Sequence, residues 1–161
     1  MTGSFFSKFQ NPSQRQMRLR HVFHLGIKIE QQAETFYKRF AKLAKDVDVQ
    51  RLCLKLAHEE NQHARLIENK LSRWKSLPFN PTELEILDKD GKLQKLFTEM
   101  PPKNAAIDEF VSYAIDQEQQ MVLFYESFKP EFSNSWKLKR LRELIDEEKR
   151  HVTEWSELHP V

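Results

Sequence analysis

Two tetrads of the sequence share the form Glu-x-x-His: Glu60-Asn61-Gln62-His63 and Glu148-Lys149-Arg150-His151. On a helix, a spacing of three puts both side chains on one face, with Cβ atoms roughly 5–6 Å apart. A carboxylate oxygen and an imidazole nitrogen at that separation can share one metal ion. In a chain this rich in glutamate the tetrad alone is a weak signal. Its surroundings give it weight. Thirty residues before each tetrad glutamate stands another glutamate, Glu30 and Glu118. Seven residues after each of those stands a tyrosine, Tyr37 and Tyr125. Glu, Tyr, Glu and His therefore recur together at one constant offset, although the two halves otherwise share little.

Long helices must carry these residues. Apolar spacing and helix breakers predict four of them, over about 13–45, 49–75, 104–128 and 134–157. Their inward stripes are Val22, Leu25, Ile29, Ala33, Phe36, Tyr37, Phe40 and Ala44 in the first, and Leu52, Cys53, Leu56, Ala57, Ala64, Ile67, Leu71 and Trp74 in the second. In the fourth they are Leu138, Leu141, Leu144, Ile145, Val152 and Trp155. Asp46-Val47-Asp48 reads as a turn, with Asp48 the expected N-cap of the second helix. Residues 77–103 carry Pro78, Pro81, an Asp88-Lys89-Asp90-Gly91 turn and Pro101-Pro102, and read as a connector with short helical pieces. Two helical hairpins joined by one long connector give an all-α, antiparallel four-helix bundle with a crossover between helices 2 and 3, the ferritin-like topology. Residues 1–161 read as one domain, with 1–13 an N-terminal arm.

The turn positions bring the candidates to one level. Residue 45, midway between Glu30 and Glu60, lies beside the first turn; Ser133, midway between Glu118 and Glu148, lies in the break after Pro130. Residues equidistant from a hairpin turn face each other. Fifteen residues of helix span about 22 Å, so both pairs sit well inside the bundle. Four buried carboxylates are costly unless compensated. Two divalent cations would balance them, and an O/N ligand set without thiolate suits iron or manganese, with zinc possible.

The totals exclude other classes. With 26 basic and 24 acidic residues the net charge is +2, too near neutral and too evenly mixed for a nucleic-acid partner. No apolar run approaches a membrane span, and the N-terminus lacks the apolar core of a signal peptide. The single cysteine, Cys53, forms no disulfide within the chain and reads as core packing, so a reducing, cytoplasmic setting is expected. His21 and His24 lack a nearby carboxylate and are expected at the surface; His58 and His159 have no evident role. Phe5, Phe6 and Phe9 suggest an arm that packs on the bundle or on a second copy.

At Glu30 with Ala33 and Tyr37, Glu60-x-x-His63, Glu118 with Tyr125, and Glu148-x-x-His151, the sequence resembles the rubrerythrin and bacterioferritin branch of the ferritin-like di-iron superfamily. The likeness covers roughly residues 17–157. It implies that Glu30, Glu60 and His63 are ligands in one half and Glu118, Glu148 and His151 in the other, with Glu60 and Glu148 bridging two irons. It makes Tyr37 and Tyr125 hydrogen-bond donors to carboxylates, and it pairs Glu59 with His151 and Glu147 with His63. The chain departs from the family pattern in three places. Met121 stands where rubrerythrins carry a further Glu, Asn61 where bacterioferritin carries its haem-binding Met, and no CxxC pair marks a rubredoxin module. Glu34, one turn beyond Glu30, is either a further carboxylate near the metals or an ordinary helix-face residue.

The resemblance implies a redox protein that reacts with hydrogen peroxide or dioxygen, a rubrerythrin-like peroxide reductase or oxidase. It would act as a homodimer drawing electrons from an external donor of the rubredoxin type. Ferritin-type iron oxidation and storage, a metal-stabilised module without turnover, and oxidation of an organic substrate are the alternatives.

Overall fold

A computed structural model describes residues 12–71, 81–129 and 135–160. The described elements are α1 (Pro12–Leu43), α2 (Val47–Leu71), the short α3 (Pro81–Leu87), a 3-10 turn (Leu93–Lys95), α4 (Ile107–Phe128) and α5 (Ser135–Leu158). The expected positions Trp74 and Phe5, Phe6 and Phe9 lie outside the described residues, as does the turn around Ser133.

Cross-helix contacts fix the directions. Glu34 meets Asn61 and Glu30 meets His63, so α1 and α2 are antiparallel. Lys55 meets Glu154, Glu59 meets His151 and His63 meets Glu147, a register that makes α2 and α5 antiparallel. Tyr37 on Glu118 and Tyr125 on Glu30 do the same for α1 and α4. Consequently α2 and α4 run parallel, and the chain between them must travel the length of the bundle. The architecture is the expected all-α, ferritin-like bundle with a crossover.

The crossover is strapped down by polar contacts. Pro81 opens α3, where its missing N–H costs nothing. Asp88 accepts from the backbone N–H groups of Leu93 and Gln94, both at 3.0 Å. Gly91 takes the left-handed conformation of the turn, φ 67°. Gln32 on α1 donates to the carbonyls of Gln94 and Leu96. Phe97 also has a positive φ, 61°, and its N–H is held by Gln117 of α4 at 2.9 Å. Leu96 and Phe97 are thereby buried in the core.

The core follows the apolar stripes: Val22, Leu25, Ile29, Ala33, Phe36, Tyr37 and Phe40 are all buried, facing Cys53, Leu56, Ala57, Leu141, Leu144, Ile145 and Trp155. Several expectations are corrected. Asp46, not Asp48, caps α2: its Oδ1 accepts from the N–H of Asp48 at 2.9 Å and of Val49 at 3.0 Å. A cap must precede the first helical residue, and α2 begins at Val47. α1 accordingly ends at Leu43 rather than 45. α4 begins at Ile107 rather than 104, because Ala106 before it is extended, ψ 150°. His21 is buried, not at the surface, since it falls beside Val22 and Leu25 on the inner face of α1; His24 is exposed. No described helix is long and apolar enough to cross a membrane.

Candidate metal centre

Six side chains converge at mid-bundle: Glu30 from α1, Glu60 and His63 from α2, Glu118 from α4, and Glu148 and His151 from α5. Five are fully buried and His63 is 4% exposed. They form two overlapping groups. Glu30, Glu60, His63 and Glu148 present ligand atoms within 4.8 Å of one another, and so do Glu60, Glu118, Glu148 and His151.

Glu60 and Glu148 belong to both groups, with one oxygen turned to each. His63 Nδ1 lies 2.9 Å from Glu148 Oε1, 3.3 Å from Glu60 Oε2 and 3.6 Å from Glu30 Oε2. His151 Nδ1 lies 3.1 Å from Glu60 Oε1, 3.3 Å from Glu148 Oε2 and 3.4 Å from Glu118 Oε1. The two imidazoles stack with centroids 5.9 Å apart. Each shared carboxylate thus has a bridging orientation, and each histidine points Nδ1 inward.

The opposite nitrogens face outward onto acids. His63 Nε2 bonds Glu147, and His151 Nε2 bonds Glu59 at 2.8 Å. The tyrosines cross between the hairpins: Tyr37 donates to Glu118 Oε1, and Tyr125 donates to Glu30 Oε1. In each case the second oxygen, Glu118 Oε2 or Glu30 Oε2, has no hydrogen-bond partner. Neither do Glu60 Oε1, both oxygens of Glu148, and His151 Nδ1. Buried polar atoms left unpartnered are expensive and rare. Among the described residues six of the eight such atoms, all but Arg20 Nη1 and Glu154 Oε2, belong to these candidate ligands, and the donor set fits a pair of metal ions.

The sequence model of the rubrerythrin family matches residues 22–158. The chain belongs to the rubrerythrin family. That family is part of the ferritin-like di-iron carboxylate superfamily. Neither the curated proteins nor the solved structures searched contain a match.

In this rubrerythrin-family site the electrostatics follow from crowding four carboxylates in a dry core. Burial, then the neighbouring carboxylates, raises Glu60 and Glu148, the latter to about 7. Burial works against charging the imidazoles, but the acids around them outweigh it and hold His63 and His151 well above the ordinary histidine range. Burial and the adjacent carboxylates push Tyr37 and Tyr125 upward, so both stay protonated as donors. Glu59 is lowered to about 2: burial opposes this, and His151 and Arg150 overcome it.

Glu34 is part of neither group; it accepts from Lys38 and from Asn61 at 3.1 Å. His58 is exposed, and His159 pairs with Asp108 at the end of the bundle. Sequence reasoning missed two supports. The Trp155 indole N–H donates to the Tyr37 hydroxyl at 3.4 Å, and their rings stack. Arg150 bonds Glu59. The α2–α5 register that pairs Glu59 with His151 also sets Arg150 beside Glu59, and that was the available signal. For Trp155 only its inward position was readable.

Proposed function

We propose that this rubrerythrin-family protein is a non-haem di-iron oxidoreductase that reduces hydrogen peroxide, with dioxygen as a second oxidant. The observation that carries the reading is the two-way orientation of Glu60 and Glu148, one oxygen to each histidine. Glu30, Glu60, His63 and Glu148 would hold one ion and Glu60, Glu118, Glu148 and His151 the other. Iron in these positions supplies electron transfer to the O–O bond of the oxidant.

The chain's own residues do the rest. Glu147 and Glu59 accept the Nε2 protons of His63 and His151, which fixes the tautomer and leaves both Nδ1 lone pairs directed inward. Tyr125 occupies Glu30 Oε1 and leaves Oε2 turned to His63, whereas Tyr37 bonds Glu118 Oε1, the same oxygen that lies beside His151 Nδ1, and so anchors that carboxylate. The aromatic and aliphatic shell excludes bulk water, so each of these bonds acts at low dielectric. Peroxide takes up two electrons and two protons to give two waters. The electrons come from an external donor, for which a small rubredoxin-type protein is the proposed partner.

The test is peroxide consumption by the iron-loaded protein with a reductase and a rubredoxin-type donor. Wild type should turn over well above a Glu60→Ala, Glu148→Ala variant that is folded by circular dichroism. Equal rates would overturn the reading. Size-exclusion chromatography separates it from mineral storage, since a dimer has no cavity for mineral and a large shell would favour storage.

A further inference from the structure

The two halves of the centre copy each other through the six candidate ligands and the four residues that touch them from outside. They differ in the layer beyond. On the His151 side, Glu59 is fully engaged: Oε2 bonds His151 and Oε1 accepts from Arg150 Nη1 at 3.4 Å. Arg150 is held in turn by Glu154 at 2.9 Å, and Lys55 of α2 bonds the same Glu154 oxygen at 2.7 Å. Lys55, Glu59, Arg150, His151 and Glu154 therefore form one chain of charge-assisted bonds between α2 and α5. On the His63 side, Glu147 bonds His63 and, among the described residues, has no other hydrogen bond or ion pair; the Arg150 charge reaches it only at longer range, without a bond. The Glu147 side chain is 46% exposed, against 17% for Glu59.

The tyrosines differ in the same sense. Tyr37, which bonds Glu118, accepts a further bond from Trp155 and stacks against it. Tyr125, which bonds Glu30, has no second hydrogen bond among the described residues, although its ring packs on Phe124 at 5.1 Å. Its hydroxyl faces Gly26, where even a Cβ would stand 3.4 Å away. Both terminal ligands of one half thus rest on a third layer of support, and neither does in the other half.

Ligands already held in place lose less conformational freedom when an ion arrives, so affinity follows the support. We propose that the two metal positions are unequal: the one bounded by Glu118 and His151 is the tight, first-filled position, the one bounded by Glu30 and His63 is exchangeable, and Arg150 is a positioning residue that sets the gap. The inference rests on the two-metal reading above.

The test is titration of the metal-free full chain with cobalt(II), read by equilibrium dialysis and by the absorption of the bound ion. Wild type should take up two ions in steps separated by about 10-fold or more. Arg150→Ala, at an exposed position, should narrow the gap by about 10-fold, and Arg150→Lys should restore part of it. Glu147→Gln should widen the gap, by weakening the second step. A merely structural role for Arg150 would weaken both steps alike. Two ions bound with equal affinity, or a gap unchanged in Arg150→Ala, overturns the inference alone. Fewer than two ions at saturating cobalt overturns the two-metal reading and the inference with it.

Discussion

The hydroxyl of Tyr37 on α1 donates to the carboxylate of Glu118 on α4, 81 residues further along the chain. Both groups are buried, and the same hydroxyl receives the Trp155 indole N–H. Tyr37→Phe therefore leaves one oxygen of a buried glutamate and one indole donor unpartnered. The expected loss is about 1–3 kcal/mol of stability. Urea unfolding of the metal-free variant and wild type measures it. Identical midpoints and slopes would show that the bond contributes nothing.

The protonation state of the centre sets a pH dependence. In the metal-free protein Glu148 is raised from 4.5 to about 7, Glu60 is also raised, and both histidines are raised. Near neutrality the folded state therefore binds more protons than the unfolded chain. Stability falls with rising pH wherever that holds. For a raised carboxylate such as Glu148, the contribution is whole below 4.5 and is lost as pH climbs through 7. Calorimetry of chelator-treated protein should show a melting temperature that declines from about pH 5 to about pH 8, with a stability loss on the order of a few kcal/mol. A melting temperature that rises across this window would contradict the assignment.

Metal loading should reverse that trend. Ions bind the deprotonated ligands, so affinity increases with pH. Free metal at a thousand times the dissociation constant adds about 4 kcal/mol per site. For a chain of this size that corresponds to roughly 8–16 °C in melting temperature. The interval between loaded and chelated protein should widen with pH, and Glu60→Ala should shrink it.

Asp46 accepts the first free N–H groups of α2 through one oxygen, whereas Asp48 lies within the helix. Asp46→Ala should cost about 0.5–2 kcal/mol. Asp48→Ala, at an exposed position, should stay within about 0.5 kcal/mol. Thermal unfolding of the two variants side by side decides which residue is the cap.

The thiol of Cys53 is fully buried, and burial pushes its pKa upward. A neutral thiol in the core is a poor nucleophile. A disulfide reagent should modify it only through opening of the bundle, with a rate that rises steeply with denaturant. Fast labelling of the native protein would show that α2 opens locally.

The bundle was legible because its information is periodic. The apolar stripes of α1 and α2 and the proline breaks name the helices, and the constant spacing of Glu, Tyr, Glu and His names the residues that converge. Helix ends were less legible. A three-residue acidic turn offers two aspartates, and only backbone geometry distinguishes Asp46 from Asp48. The chemistry of His21 points to the surface, but its place beside Val22 and Leu25 puts it on the inner face of α1. Gln117 on Phe97 and Arg150 on Glu59 depend on how distant segments register, which no local pattern encodes.

The bonds that complete the centre all cross from one hairpin to the other, spanning 81 to 95 residues of sequence. Each hairpin contains its own three candidate ligands and lacks the tyrosine and the outer glutamate that hold them. Local helical pairs form quickly, and contacts between distant segments wait for chain closure. Contact order therefore favours pairing of α1 with α2 and of α4 with α5 ahead of the docking of the two hairpins, which is the step that completes the pocket. Until α5 has been made and has docked, the candidate ligands of the first hairpin lack Glu147 and those of the second are absent or incomplete.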